Sequence, residues 1–130
     1  MHEGGIIREY VLAEGVMALI RDVSRHYFGG YYHVRLQVTA DVPLCSAWFE
    51  SVAEYEEVLG RLGRSVRFSR TLEKMAVPLA EVDDVRNALL DSFETNLRGY
   101  LSRPDFPSRF VLGEYAKTRK KVAPGRYGQA

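Results

Sequence analysis

Apolar and polar residues alternate with a period of two in the segment HVRLQV, residues 33–38. This alternation is typical of a strand that buries one face. A second apolar segment, VMALIRDVSRHYF at residues 16–28, precedes it, and Gly29 and Gly30 separate the two. The pattern predicts a β-hairpin over residues 16–42, ended by Pro43.

The turn length fixes which residues of this hairpin face each other. A two-residue loop at the glycine pair sets Tyr27 opposite Tyr32 and His26 opposite His33. The apolar residues of both arms then share one face, which a half-buried sheet requires. We therefore expect both histidines on the other face, turned toward water or a partner. The same register places Arg21 on the apolar face, together with Arg25, and buried there each would need a carboxylate partner.

Other segments predict further elements of the same domain. Residues 6–12 fit the period of a strand and of a helix, and strand is the preferred assignment. Ser51 and Glu54 have the spacing of a capping box, which predicts a helix over residues 51–62. Residues 65–72 alternate again and predict another strand.

The longest helical pattern runs over residues 79–101. Pro78 suits a helix start, the first turns are acidic, and Pro104 follows the end. The apolar positions recur at helical spacing: Val82, Val85, Leu89, Phe93, Leu97 and Leu101. The predicted fold class is α+β, an antiparallel sheet built around the 16–42 hairpin with two helices packed on one face.

Composition restricts the class of protein. A chain of 130 residues that is 46% hydrophobic and 27% charged is typical of a globular domain with its own core. The start of the chain lacks the pattern of a signal peptide, and no apolar run approaches the length that spans a bilayer. We expect a cytoplasmic protein without membrane contact. Cys45 is the single cysteine, so an internal disulfide is excluded.

Charge divides the chain into two parts. Residues 1–108 carry twelve Lys and Arg against sixteen Asp and Glu, whereas residues 109–130 carry six basic residues and one Glu. This predicts a single domain over 1–108 and a basic, partly flexible tail over 109–130. Flexible basic segments bind phosphates without sequence preference. The candidate phosphate contacts are Lys117, Arg119, Lys120 and Lys121.

The aromatic turn HYFGGYYH is the candidate binding site. Its members are His26, Tyr27, Phe28, Tyr31, Tyr32 and His33. Exposed rings stack on bases or on protein side chains. Cross-strand aromatic pairs also stabilise a hairpin by a few tenths to about 1 kcal/mol each, and this structural role is the preferred explanation of the motif.

Candidate chemistry is sparse. Asp22 and Ser24 resemble two positions of the Asp-x-Ser-x-x-Gly strand motif of PilZ domains, which bind cyclic dinucleotides. Tyr27 stands where that motif has glycine, and no suitably spaced Arg-x-x-x-Arg element precedes it, so the function is not carried over. The two histidines alone would be too few ligands for zinc.

The sequence contains no complete catalytic motif, and no catalytic residue, metal or cofactor is predicted. Cys45 is a candidate nucleophile whose base would be a distant histidine, but a lone thiol without a supporting signature is more often a small apolar filler or incidental, and this is the preferred explanation. The favoured function is a small non-enzymatic protein-binding or self-assembly module, whose partner is another protein or a second copy in a homodimer. The alternative is a nucleic-acid-binding protein that uses the basic tail and the aromatic hairpin, and an enzyme ranks third.

Overall fold

The computed structural model describes residues 5–122, with side chains as far as residue 119. It contains an antiparallel sheet of five strands with helices packed on one face, which confirms the predicted α+β class. The strands are β1 (Gly5–Val11), β2 (Met17–Asp22), β3 (Arg25–Phe28), β4 (Tyr31–Pro43) and β5 (Ser65–Pro78).

Strand β4 is the centre of the sheet. Strands β2 and β3 pair with one of its edges in succession, and β5 pairs with the other edge along its whole length. Strand β1 lies outside β2. The 16–42 hairpin is therefore present, with its first arm divided in two. The strand predicted at residues 6–12 is confirmed as β1, and the strand predicted at 65–72 continues to Pro78.

The even-numbered residues of β2 and β4 form the buried face of the sheet. Ile20, Leu36 and Val38 are fully buried, as are their neighbours at alternate positions. Burying a side chain of this size stabilises the fold by about 1.5–3 kcal/mol. The odd-numbered residues, including Leu19 and Gln37, lie on the opposite face, where all of them except Thr39 are at least partly exposed. Alternation thus directs one face toward the helices.

The predicted first helix is confirmed as α1 (Val52–Leu62). The Ser51 hydroxyl accepts a hydrogen bond from the Glu54 N–H at 3.1 Å, as an N-cap does. The Glu54 carboxylate accepts from the N–H of Glu50 at 2.9 Å, one residue before the position expected in a capping box. The first of these bonds satisfies a donor that the start of the helix leaves free, and the second ties the preceding residue to the first turn.

The helical pattern over residues 79–101 is confirmed as one continuous helical segment. It begins with a 3₁₀ turn at Leu79–Glu81 and continues as α2 (Val82–Ser92), a π-helical turn (Phe93–Leu97) and α3 (Arg98–Leu101). Phe93 is fully buried. Its ring contacts the Tyr10 ring of β1 with 5.0 Å between centroids, so the wider turn packs against the edge of the sheet.

The last helix, α4 (Phe106–Val122), includes the first fourteen residues of the predicted basic tail. Pro107 lies in its first turn, where a missing N–H costs nothing. Val111 is fully buried and Tyr115 nearly so, which fixes this helix to the domain. Residues 123–130 lie outside the described part of the chain. Within that part, no helix is both long and apolar enough to cross a membrane.

Candidate functional site at the hairpin end

A break between β2 and β3 shapes the hairpin. The Asp22 carboxylate accepts a hydrogen bond from the Ser24 N–H at 3.0 Å, which turns the chain out of the regular strand. The Ser24 hydroxyl then accepts from the Arg35 N–H at 2.9 Å, and the Val23 N–H donates to the Arg35 carbonyl oxygen. A side chain thus replaces part of the backbone ladder. The Asp-x-Ser pattern of the sequence therefore supplies the two side chains that form the break between β2 and β3.

The predicted hairpin register holds only at the turn. Phe28 pairs with Tyr31 across the glycine pair, and Gly29 has a φ of 56°, which a non-glycine residue rarely adopts. A bulge at Tyr27 then shifts the register, so that His26 pairs with Tyr32. The predicted pairing of Tyr27 with Tyr32 is therefore wrong.

The shift also separates the two histidines. His26 shares the helix-covered face with Tyr32, whereas His33 lies on the open face. Their predicted opposition is wrong because the bulge adds one residue to the first arm. Arg21, paired with Gln37, and Arg25, paired with His33, are likewise on the open face and not on the apolar face as predicted. The Arg21 side chain has a polar neighbour there. Its guanidinium lies 3.4 Å from the Thr39 hydroxyl, to which it donates.

Each histidine has a partner close at hand. His26 Nε2 is hydrogen bonded to the Gly29 carbonyl oxygen, and because a carbonyl only accepts, Nε2 carries the proton. The His26 ring meets the Tyr32 ring edge to face, with 5.3 Å between centroids. On the open face, His33 Nε2 lies 2.7 Å from the Glu73 carboxylate. The His26 contacts thus lie within the hairpin, whereas the His33 contact joins β4 to β5.

A cavity of about 490 Å³ opens between the hairpin and the start of α2. We call it the hairpin pocket. Its lining residues are Asp22, Ser24, Arg25, His26, Tyr32, Leu79, Val82 and Arg86. The strand break supplies one wall and the first turns of the helical segment supply the other.

An ion pair joins the two walls of the hairpin pocket. Arg86 Nε lies 2.9 Å from Asp22 Oδ2, and Arg86 Nη1 lies 2.7 Å from Asp83 Oδ1. Burial by itself would raise the pKa of Asp22, but the Ser24 hydrogen bonds and the Arg86 guanidinium outweigh it and hold that pKa below its ordinary value. The hydrogen bond to Asp83, assisted by the Asp22 charge, raises the pKa of Arg86. The pair therefore remains ionised at neutral pH.

Exposed apolar side chains gather at this end of the sheet. Eleven large hydrophobic residues are exposed in the described part of the chain, and five of them lie here. They are Tyr27, Phe28, Tyr31, Met75 and Leu79, which we call the hairpin-end surface. Tyr31 pairs with Pro78 of β5, and the Leu79 N–H donates to the Gly30 carbonyl oxygen, which draws both segments to the turn.

The predicted phosphate contacts lie on α4, away from the hairpin. Lys117 pairs with Glu114 at 2.9 Å, and the Arg119 guanidinium lies 5.5 Å from the Tyr115 ring centroid. Arg61 of α1 lies over the same ring at 5.9 Å. Lys120 and Lys121 belong to the same helix, but their side chains are outside the described part.

Possible chemical centres are few among the described residues. Cys45 is a free, exposed thiol. No group of three or more His, Cys, Asp or Glu side chains within residues 5–119 is arranged to hold a metal ion. The open-face cluster of His33, Glu73 and Arg35 contains one carboxylate, with Arg35 Nε 3.3 Å from its oxygen.

The sequence did not predict that Arg86, Leu79 and Val82 would be part of this site. They follow Asp22 by 57 residues or more, and only the packing of the helical segment against the sheet brings them close to it. The Asp-x-Ser spacing was the one available signal, because this pair is typical of a local turn within a strand.

Comparisons of the chain with protein-family models, curated proteins and solved structures gave no match.

Proposed function

We propose that the protein is a small non-enzymatic binding module that engages a protein partner, or a second copy of itself, through the hairpin-end surface. The concentration of exposed apolar residues at one end of the sheet carries this proposal. Phe28 is 72% exposed and Leu79 is 65% exposed. Exposed large side chains that are scattered need no explanation, whereas a group of them marks an interaction surface.

Aromatic residues suit this role for a physical reason. Tyr and Phe bury much apolar area with few rotatable bonds, so ordering them in a complex costs little entropy. The hairpin already restrains them, because Phe28 and Tyr31 are paired across the turn. A partner therefore meets a surface that is largely preformed.

Surface variants test this function. Phe28→Ser and Leu79→Ser each remove an exposed apolar side chain from the hairpin end, and Val52→Ser removes one at the start of α1 as a matched control. Sedimentation equilibrium measures self-association, and affinity purification from the native cell extract measures other complexes. The proposal expects the complex, of either kind, to be lost in the hairpin variants and kept in the control. A monomer whose complexes are the same in all three variants contradicts it.

A second function, nucleic-acid binding, is favoured by one observation. The guanidinium groups of Arg61 and Arg119 lie 5.9 Å and 5.5 Å from the centroid of the Tyr115 ring, on a helix whose last turns are basic. This site and the hairpin lie at opposite ends of the sheet, and thirteen residues of β4 span about 43 Å at about 3.3 Å per residue. A nucleic acid would have to cross this distance to use both.

Fluorescence anisotropy with labelled single-stranded RNA tests this alternative. The variant Lys117→Gln with Arg119→Gln neutralises two charges without cutting the buried part of α4. Binding that weakens with salt and with this variant supports the alternative, because phosphate contacts release counterions. Equal affinity of wild type and variant, or no binding at low salt, excludes it.

A further inference from the structure

Strand β5 has a free edge. Its residues 65–74 pair with β4 in continuous antiparallel register, and no strand of the described chain lies on the other side. In an antiparallel strand, every second residue turns its backbone N–H and C=O away from the partner strand. Within the described part of the chain, no group is hydrogen bonded to these outward atoms. They are therefore available to the backbone of an added strand.

A groove of about 410 Å³ lies beside this edge. Its residues from the sheet are Arg70 and Leu72, both of β5, and its other wall is the helical segment, which contributes Leu97 and Tyr100. Because no other described strand contributes, the groove opens at the edge of the sheet and not over its centre. A side chain of an added strand would enter it on the helix-covered face.

Arg70 is the cation of the groove. It pairs with Val38, which is fully buried, so the Arg70 side chain lies on the helix-covered face. Its guanidinium carbon is 5.6 Å from the centroid of the Phe68 ring, and that ring packs against the rings of Phe106 and Phe110. Among residues 5–119, no carboxylate pairs with Arg70 and none lines the groove. The aromatic ring thus positions the guanidinium and leaves its N–H groups free for an anion.

Charge determines which strand fits this edge. Lys74 pairs with Val34, which is buried, so its side chain lies on the same face as Arg70 and four residues further along β5. The other charges of this segment, Arg67 and Glu73, are paired with side chains of β4. A second copy of β5 would bring the same two unpaired cations to the edge, whereas acidic side chains would balance them. The free edge therefore favours an acidic strand over a second copy.

We propose that residues 65–74 of β5 bind an extended acidic segment of another protein as an added strand. One acidic side chain pairs with Arg70, a second pairs with Lys74, and a small apolar side chain between them lies against the groove. Backbone pairing supplies affinity and the alternate side chains supply specificity. This inference goes beyond the proposed function, because Arg70 is five residues from Met75 of the hairpin-end surface, about 16 Å at about 3.3 Å per residue.

A pair of heptapeptides with blocked ends tests the charge requirement. The probe TETVTET has a glutamate for each of Arg70 and Lys74 and a valine between them, and it reads the same in both strand directions. The control TQTVTQT has the same shape without the charges. We expect the probe to shift the backbone amide signals of residues 69–74 in ¹⁵N–¹H NMR spectra. Its fitted Kd should be about tenfold lower than that of the control, since a charge-assisted hydrogen bond is roughly twice as strong as a neutral one.

Hydrogen exchange tests the backbone pairing separately. An added strand should slow the exchange of every second amide of residues 69–74, because only the outward N–H groups gain a partner. Binding of the probe without this alternating protection would show contact through side chains alone and would contradict the proposal.

Two variants test the cation. Arg70→Gln removes the guanidinium from the groove, and Arg64→Gln makes the same charge change just before β5 begins. The probe should bind Arg70→Gln about tenfold more weakly and Arg64→Gln as it binds wild type. The unperturbed signals of each variant's spectrum show that its fold is retained, and Arg70→Lys, which keeps the charge, should recover part of the affinity.

Several results would overturn the proposal. They are equal affinity for the two peptides, the absence of shifts in β5 with the acidic probe, and an affinity that Arg70→Gln leaves unchanged. Shifts of the β5 signals that depend on protein concentration, without any peptide, would assign the edge to a second copy and overturn it as well. The Phe28→Ser variant should bind the probe as wild type does, so a failure at the hairpin-end surface and a failure at β5 are distinguishable.

Discussion

The ion pair between Asp22 and Arg86 joins the strand break to the helical segment, and its strength follows from its geometry. The side chains are 20% and 28% exposed, with 2.9 Å between Arg86 Nε and Asp22 Oδ2. Two charges about 4 Å apart attract by about 4 kcal/mol at an effective dielectric constant of about 20. Desolvation offsets much of this gain. The net coupling should be about 1–2 kcal/mol, close to that of a charge-assisted hydrogen bond.

A double-mutant cycle measures this coupling. Asp22→Asn keeps an oxygen for the Ser24 N–H and removes the charge, and Arg86→Gln removes the cation. The additional loss of the Asp83 contact in Arg86→Gln cancels, because it occurs in both backgrounds. Urea unfolding followed by the fluorescence of Trp48, the single tryptophan, gives the free energies of unfolding. At a typical urea dependence of about 1.5 kcal/mol per molar, Asp22→Asn should lower the midpoint by about 1 M.

The pH dependence of the cycle has a defined sign. The pKa of Asp22 in the folded protein lies below its ordinary value, and an unfolded aspartate titrates near about pH 3.9. The stabilisation is therefore complete above that pH and is lost as the pH falls through the folded-state pKa. The stability difference between wild type and Asp22→Asn should be smaller at pH 3 than at pH 7. A coupling below about 0.3 kcal/mol at pH 7, within the error of additivity, would refute the reasoning.

Three further predictions concern backbone strain and packing, each measured by the same urea unfolding. Ala76 has a φ of 56°, so Ala76→Gly should raise the free energy of unfolding by up to about 1 kcal/mol; a loss would contradict the strain argument. Gly29→Ala should lower the free energy of unfolding by about 1 kcal/mol, because Gly29 has a left-handed backbone conformation. Gly30 does not, so Gly30→Ala should lower it by less; equal losses would contradict the turn geometry. Tyr10→Phe keeps the ring contact with Phe93 and should cost less than half of the Tyr10→Ala loss; similar losses would show that the hydroxyl dominates.

The main elements could be predicted because each has a local signal. Alternation around Val34 and Leu36 identifies β4, the Ser51 cap identifies the start of α1, and the apolar spacing around Phe93 identifies the long helical segment. The helix α4 was not predicted. Pro107 and Gly113 interrupt its apolar pattern, and only a few of its residues pack against the domain. Helices of this kind depend on tertiary packing more than on propensity.

The hairpin register and the pocket could not be predicted for a different reason. The bulge at Tyr27 and the break at Asp22 depend on which hydrogen bonds a strand exchanges for side-chain bonds, and alternation alone does not specify that choice. Because the register shifts by one residue, His26 pairs with Tyr32 instead of His33, and the two histidines lie on opposite faces of the sheet. The hairpin pocket also requires Arg86, sixty-four residues beyond Asp22, so no spacing within the hairpin indicates it.

The most direct measurement of the central claim is site-specific photo-crosslinking in native cells. A photoreactive phenylalanine at position 28 reports on the hairpin-end surface, and one at position 52 reports on the start of α1. Both native side chains are 72% exposed, so unspecific collisions should label them equally. The account predicts a discrete crosslinked species at position 28, either with another protein or with a second copy, and none at position 52. Equal, diffuse labelling at both positions would contradict the claim that the hairpin end is the binding surface.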